Sequence, residues 1–497
     1  MNRTGPIKIK TDKKSVVNLL LMTTLPLLAV AIAFLLGRSS EKTGFVVMAG
    51  ILGAGCVIVA IARPIFGFYF TILLSFFFAD IGRLLKTDLP LGTVIDIFVF
   101  LTFLGILLKK LTSGEAFWKH CKSPIMYAYG GIILYSLIEI FNPNAISRDT
   151  SLLILRRFFA IQVFLYCSLQ LFTDVASIRR FFKLWVVLAL IGALYACYQE
   201  WAGYPHYEMD YILSDVHLTD LYSLDNGNYR KFSFLADPTS FGILMSACAL
   251  LNLIFILTLD INQTKKLILG VSMLIILMAI GYSGTRTAYG SFVIGIAVYI
   301  LMTLSNFRTM IFACFSAVIF IGLIFGPFLR SNPTLNRIRT TFHPSKDASL
   351  QVRDINRKRI QPYLRSHPLG GGLGSTGTGT TSATGGGAKA ASSSSPLAGF
   401  PTDSGFLRMA LEYGWIGLII QCIIFFIVLQ QGIRAYFRSR DPVNRSLLLA
   451  SVVCLFSYIM AHYAQVAIGP LPGAFLFYPL IAIIIRLRQM ELSTYVS

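Results

Sequence analysis

The sequence predicts an all-α polytopic membrane protein, and three observations predict it. Hydrophobic residues fill 55% of the 497 positions while Asp, Glu, Lys and Arg together fill only 13%, and the mean hydropathy is +0.69. The apolar residues come in long runs, and about 20 in succession are what an α-helix needs to cross a hydrocarbon core of about 30 Å. Short links carrying Lys and Arg join the runs, as expected of helices threaded through a bilayer.

With about 17 residues as a working minimum, the runs give about 14 transmembrane helices, with a range of 12 to 14 because three are short. They are 16–36, 44–62, 64–79, 93–108, 124–141, 155–172 and 181–200, then 240–258, 266–282, 287–304, 309–328, 410–431, 446–464 and 473–485. The short ones are the third, the fourth and the last. The first follows the basic segment MNRTGPIKIKTDKKS and has no clear small-residue cleavage site, so it is expected to remain as an uncleaved span.

Charge orients the bundle. If the links alternate sides, one side collects Lys8, Lys10, Lys13, Lys14, Lys109, Lys110, Lys119, Lys122, Arg179, Arg180, Lys183, Lys265, Lys266, Arg434, Arg438, Arg440, Arg445, Arg486 and Arg488. That side is expected to be cytoplasmic, with both termini on it. The chain then divides into 1–239, N-terminal helices and a first long external loop; 240–328, central helices; 329–405, a large external loop; and 406–497, C-terminal helices. Within the large loop, 375–395 is almost entirely Gly, Ser, Thr and Ala, a tract that cannot bury a core and is expected to be a flexible flap.

The formal net charge of +20 is accounted for by membrane lipids and orientation. No nucleic-acid motif accompanies it, so nucleic acid is not an expected partner. Of eight cysteines, seven fall in apolar segments, and neither a disulfide framework nor a zinc spacing emerges. No cofactor or metal is therefore expected. The first long loop sets Glu208, Asp210, Asp215, Asp220 and Asp225 among Tyr204, Tyr207, Tyr211 and Tyr222. Such a surface suits sugar rings and equally suits an interfacial tyrosine belt. Glu208 and Asp210 are spaced to hold a divalent cation, although one acidic pair does not define a site.

The longest polar interval contains QVRDINRKRIQPYLRSHPLGGGLG, from Gln351 to Gly374. If helical, it places arginines at i, i+4, where two guanidinium groups fork onto phosphate oxygens. The ordinary reading is a solvated basic helix beside anionic headgroups. What argues for a ligand site is the neighbouring His367-Pro368 and the cluster of Gly370, Gly371, Gly372 and Gly374, where bare backbone can approach a ligand. Two further islands lie at expected external helix ends: YRKFSFLADPTSFG from Tyr229 and SGTRTAYG from Ser283. A boundary arginine is usually a snorkelling anchor. Arg286, held near the bundle by a link of only a few residues, is a functional candidate by default.

These islands resemble the O-antigen ligase and O-antigen polymerase superfamily. The resemblance rests on Arg230 followed by Asp237-Pro238, S-x-x-R-x-A from Ser283 to Ala288, Arg353 upstream of HPLGGGLG, and DSGFLRMALEYGWIG from Asp403 to Gly417. Two departures stand out: Thr239 where many members have Asn, and Thr402-Asp403 where many have His-Asn.

The resemblance implies a GT-C-like helical bundle in the bacterial inner membrane, with its active site on the periplasmic face. The implied reaction moves a glycan from undecaprenyl diphosphate to an acceptor hydroxyl without a metal. Arg230, Arg286, Arg353 and Arg357 would bind the diphosphate, Arg230 and Arg286 stabilising the leaving charge. His367 would be the base, with Asp403 in reserve. The acceptor would be lipid A core for a ligase or another lipid-linked glycan for a polymerase. A flippase for lipid-linked sugars is the reading from another class, but it would be expected to carry charges deep within spans and two similar halves.

Overall fold

The computed structural model describes residues 41–86, 91–145, 148–224, 227–325, 339, 348–376 and 404–496. The expected first span 16–36, residues 377–395 of the flap, and Asp403 lie outside the described residues.

The described chain is helical, with a single antiparallel bridge between Ser223 and Tyr229. In order, the helices are α1 (Glu41–Ala62), α2 (Pro64–Leu85), α3 (Leu91–Ser113), α4 (Pro124–Ile138), α5 (Arg148–Leu171), α6 (Val175–Trp201), α7 (His206–Leu213) and α8 (Val216–Tyr222). They continue with α9 (Pro238–Thr258), α10 (Gln263–Ser283), α11 (Arg286–Thr303), α12 (Phe307–Phe325), α13 (Ala348–Ser366), α14 (Gly405–Arg438), α15 (Pro442–Ala464) and α16 (Ala474–Val496). Among the described residues, nine helices are long and apolar enough to span a bilayer: α2, α4 with its 3-10 extension, α5, α6, α9, α10, α11, α14 and α15. The protein is thus an all-α polytopic membrane protein.

Local chemistry sets the helix ends. Asp174, Asp237 and Asp441 cap α6, α9 and α15, accepting backbone N–H bonds that the first turn leaves unpaired. Pro238 and Pro442 follow two of these caps, at the position where a missing N–H costs nothing. Gly284 closes α10 in the left-handed region at φ 58°.

The 34-residue α14 is broken at Gly414, where φ is 67° and ψ −168°. At 1.5 Å per residue an unbroken helix of this length would far exceed the bilayer core. The break separates a short segment, from Gly405 to Tyr413, from the spanning part.

At the core, α16 is wedged among α5, α15 and α14. Every residue from Ala474 to Ile485 is buried. Phe475 meets Phe164 at 4.2 Å between ring centroids, and Phe164 in turn stacks on Phe68 at 4.7 Å. The run expected to be a marginal last span is therefore a central helix, extended on its far side to Val496.

Cross-links sort the helix ends into two groups. Arg83 reaches the carbonyls of Ser233 and Leu235, Asn142 reaches that of Leu369, and Arg230 reaches that of Ser283, so these links share one end of the bundle. At the opposite end, Arg486 donates to the carbonyl of Phe172 and Gln489 to that of His120.

Candidate active site

Arg230 ties two of the arginine islands together. Its Nε donates to the Ser283 carbonyl at 3.1 Å, one terminal nitrogen to the Thr285 hydroxyl at 2.9 Å and to Thr239 Oγ1 at 3.4 Å, and the other to the Leu221 carbonyl at 3.2 Å. Thr239 thus supplies a guanidinium acceptor with its hydroxyl.

The S-x-x-R-x-A turn has a packing reason. Ser283, Gly284 and Thr285 are buried between α10 and α11, and Arg286 is the first residue of α11. A Cβ on Gly242 would lie 2.6 Å from Ser283 Oγ and 3.0 Å from Ala288 Cβ, so small residues on both sides let α9 press against the turn. The Thr285 hydroxyl also donates to the Pro238 carbonyl at 2.9 Å. Arg286 is therefore presented from a braced turn and is half-buried there.

Helix α13 carries the third island. Arg353 lies on it with its side chain outside the described residues. Arg357 sits over the ring of Tyr463, 4.9 Å from the centroid, and donates to its hydroxyl at 3.3 Å. Ser457 Oγ donates to the Ser291 carbonyl at 2.9 Å, joining α15 to α11. Ser446 at the Thr258 carbonyl and Cys454 at that of Ala247 set α15 antiparallel to α9, and Gly242 against Ala288 with Gly295 against Leu250 sets α9 parallel to α11, so α15 runs antiparallel to α11. From the contact of Ser457 with Ser291, Tyr463 lies further along α15, and Arg286 lies back along α11, toward the same end. The end that carries Arg230 and Arg286 thus also carries Arg357.

His367 ends α13. Its ring stacks on Tyr363 with centroids 4.1 Å apart, and its Nδ1 lies 3.2 Å from the Tyr363 carbonyl and 2.9 Å from Ser366 Oγ. A carbonyl only accepts, so this pattern assigns the proton of the neutral ring to Nδ1 and the lone pair to Nε2. In that tautomer Nε2 is the nitrogen that can accept a proton.

The glycine cluster has a different role from the one its composition suggested. Gly370, Gly371, Gly372 and Gly374 are buried against protein, not held open for a ligand. A Cβ on Gly370 would meet Gly414 N at 2.5 Å, and one on Gly372 would meet Ala145 Cβ at 2.7 Å. Gly371 N donates to the Leu411 carbonyl and Trp415 N to that of Pro368, at 2.7 and 3.0 Å. The glycines therefore seat the His367 loop in the break of α14 and against the link before α5.

Other groups were not apparent as site residues in the sequence. Beneath the glycine loop, buried Glu412 pairs with Arg408 Nε at 3.0 Å and accepts from Thr376. The i, i+4 spacing of Arg408 and Glu412 was its only signal. Arg83 is buried, with its guanidinium 4.5 Å from the Phe232 ring centroid, and pins the segment that carries Arg230. Asp96, also buried, binds Arg157 at 2.7 Å and Arg156 at 3.3 Å.

Glu208 and Asp210 point to different partners. Glu208 is fully buried and takes the Gln199 amide on both oxygens, at 3.1 and 2.9 Å, while Asp210 pairs at the surface with Lys86 at 3.1 Å. Burial pushes the Glu208 carboxyl up to about 7, against the opposing pull of Gln199 and Arg83. Burial likewise lowers the Lys231 ammonium, which pairs with Glu200 at 3.4 Å and lies over the Tyr204 ring.

Residues 271–422 match the O-antigen ligase family. This stretch holds the Arg286 turn, the basic helix α13, His367 and the glycine loop, and the Arg408–Glu412 pair. It supports the O-antigen ligase and polymerase superfamily that the motifs resembled. Covering under a third of the chain, the O-antigen ligase match begins beyond Arg230, yet Arg230 bonds directly into it through Ser283 and Thr285. No curated protein matches the chain.

Proposed function

We propose that this protein is a glycosyltransferase of the bacterial inner membrane that moves a glycan from undecaprenyl diphosphate to an acceptor hydroxyl at the periplasmic face. It would act in lipopolysaccharide or surface polysaccharide synthesis, as a ligase onto lipid A core or as a polymerase onto another lipid-linked glycan. The observation that carries the reading is the bracing of the Arg286 turn by Arg230, inside the stretch that matches the O-antigen ligase family.

The proposed step is a displacement at the anomeric carbon. The acceptor oxygen forms the new glycosidic bond, the bond from the anomeric carbon to the phosphate oxygen breaks, and undecaprenyl diphosphate departs with the electron pair. Arg286, with Arg353 and Arg357 from α13, offsets the charge that grows on the leaving oxygens. Arg230 keeps Arg286 in place and adds its own charge. His367 Nε2 takes the acceptor's proton, and Asp403 is the reserve base. The arginines neutralise the diphosphate without a metal ion.

The test is transfer of a labelled glycan by purified protein in nanodiscs, offered lipid A core or a second lipid-linked glycan, with and without EDTA. Product on one acceptor, made equally well in EDTA, supports the reading and separates ligase from polymerase. Movement of intact donor across vesicles with no new glycosidic bond would instead make the protein a flippase. EDTA inhibition reversed by magnesium would bring in a metal.

A further inference from the structure

At the end of the bundle away from Arg286, the last turns of α14 and α16 enclose a cavity of about 150 Å³. That is about ten times the space one ordered water requires. Arg434 and Arg438, one turn apart on α14, face Arg488 from α16 across it, and Gln431, Glu491 and Leu492 complete the wall. Three arginines thus line the cavity beside one glutamate.

The carboxylate is directed elsewhere. Glu491 Oε1 accepts from Ser439 Oγ and, at 3.5 Å, from Asn444 Nδ2, in the link between α14 and α15. Among the described residues no ion pair neutralises Arg434, Arg438 or Arg488. Arg488 is instead steadied by the side-chain oxygen of Gln431. The helix C-termini contribute only partial negative charge, about half an elementary charge each, so the cavity keeps a positive balance.

Its surroundings identify the occupant. Phe437 and Leu492, on the same two helix ends, are 62% and 56% exposed. Such apolar side chains belong against acyl chains, so the cavity opens where headgroups lie. Arginine forks match phosphate oxygens in geometry as well as charge, and basic pockets between membrane helices hold anionic headgroups.

We infer that the cavity lined by Arg434, Arg438 and Arg488 is a binding site for the phosphate of an anionic membrane phospholipid. It is distinct from the arginine islands at the other end and does not depend on the glycosyltransferase reading.

The experiment is native mass spectrometry of the full-length protein, delipidated in detergent and titrated with phosphatidylglycerol, cardiolipin or zwitterionic phosphatidylcholine. Wild type is expected to retain the anionic lipids in preference, and the Arg434→Gln/Arg438→Gln double variant to lose that preference by about tenfold or more. Both side chains are exposed, so the fold is expected to survive the change. Arg440→Gln, outside the cavity, serves as the control and should bind as wild type does. Equal retention by wild type and double variant would overturn the proposal. Displacement of the lipid by millimolar inorganic phosphate would overturn the lipid as the source of the phosphate.

Discussion

Arg230 and Thr285, 55 residues apart in the chain, are joined by a 2.9 Å hydrogen bond from guanidinium to hydroxyl. The bond, with its companions from Arg230 to the Ser283 carbonyl and the Thr239 hydroxyl and from Thr285 to the Pro238 carbonyl, holds in register the start of α9 and the turn that presents Arg286. Arg230→Lys keeps the charge but loses the fork that reaches two acceptors at once. Transfer is expected to fall roughly 100-fold, with normal abundance in the membrane. Arg286→Lys should do the same. Near-normal turnover in both, measured on purified protein, would make these arginines structural.

His367→Ala separates chemistry from binding. The ring rests on Tyr363 at the end of α13 and is only half-buried, so its loss should leave the fold intact. A missing base is expected to lower turnover on the order of 100- to 10,000-fold. Affinity for the lipid-linked donor should hardly change. Weakened donor binding with unchanged turnover would assign His367 to the diphosphate instead.

Gly370 tests the seating of the His367 loop. At φ +80°, with a Cβ that would lie 2.5 Å from Gly414 N and 2.7 Å from the Glu412 carbonyl oxygen, Gly370→Ala must push backbone from backbone. A loss of more than about 2 kcal/mol is expected. Gly270→Ala on α10, where a Cβ meets nothing within 4 Å, should be neutral or slightly stabilising. Thermal melts of the two variants in one detergent make the comparison.

Glu208 predicts a pH dependence. It faces Tyr195 and Gln199 of α6, its neighbour Tyr207, and the charges of Asp80 and Arg83 on α2. Its carboxyl is raised from 4.5 to about 7, so the folded protein holds this proton more tightly than the unfolded chain does. The resulting stabilisation, roughly 3 kcal/mol, is complete below about pH 4.5 and is lost as pH rises through about 7. Wild type should therefore melt lower at about pH 8.5 than at about pH 5. Glu208→Gln should flatten that difference, and an unchanged difference would show that other groups carry it.

Runs of about 20 apolar residues have few stable solutions other than membrane helices, so the bundle is legible in the chain before it folds. The sequence also marked Arg286 and His367, whose polar chemistry stands out beside apolar spans. Which apolar residues face protein and which face lipid emerges only once the helices pack. In a bilayer both surroundings are apolar, so the alternation that reveals a core in water is muted. Helices α9 and α10 are similarly apolar, yet the apolar stretch of α9 is 83% buried and that of α10 only 28%. Leu476 is 0% exposed and Phe426 64%, with nothing in their neighbours to tell them apart. The same limit hid the part played by the glycine tract. Gly370 and Gly414 lie 44 positions apart, and only the folded chain brings the loop into the break of α14, where neither position has room for a side chain.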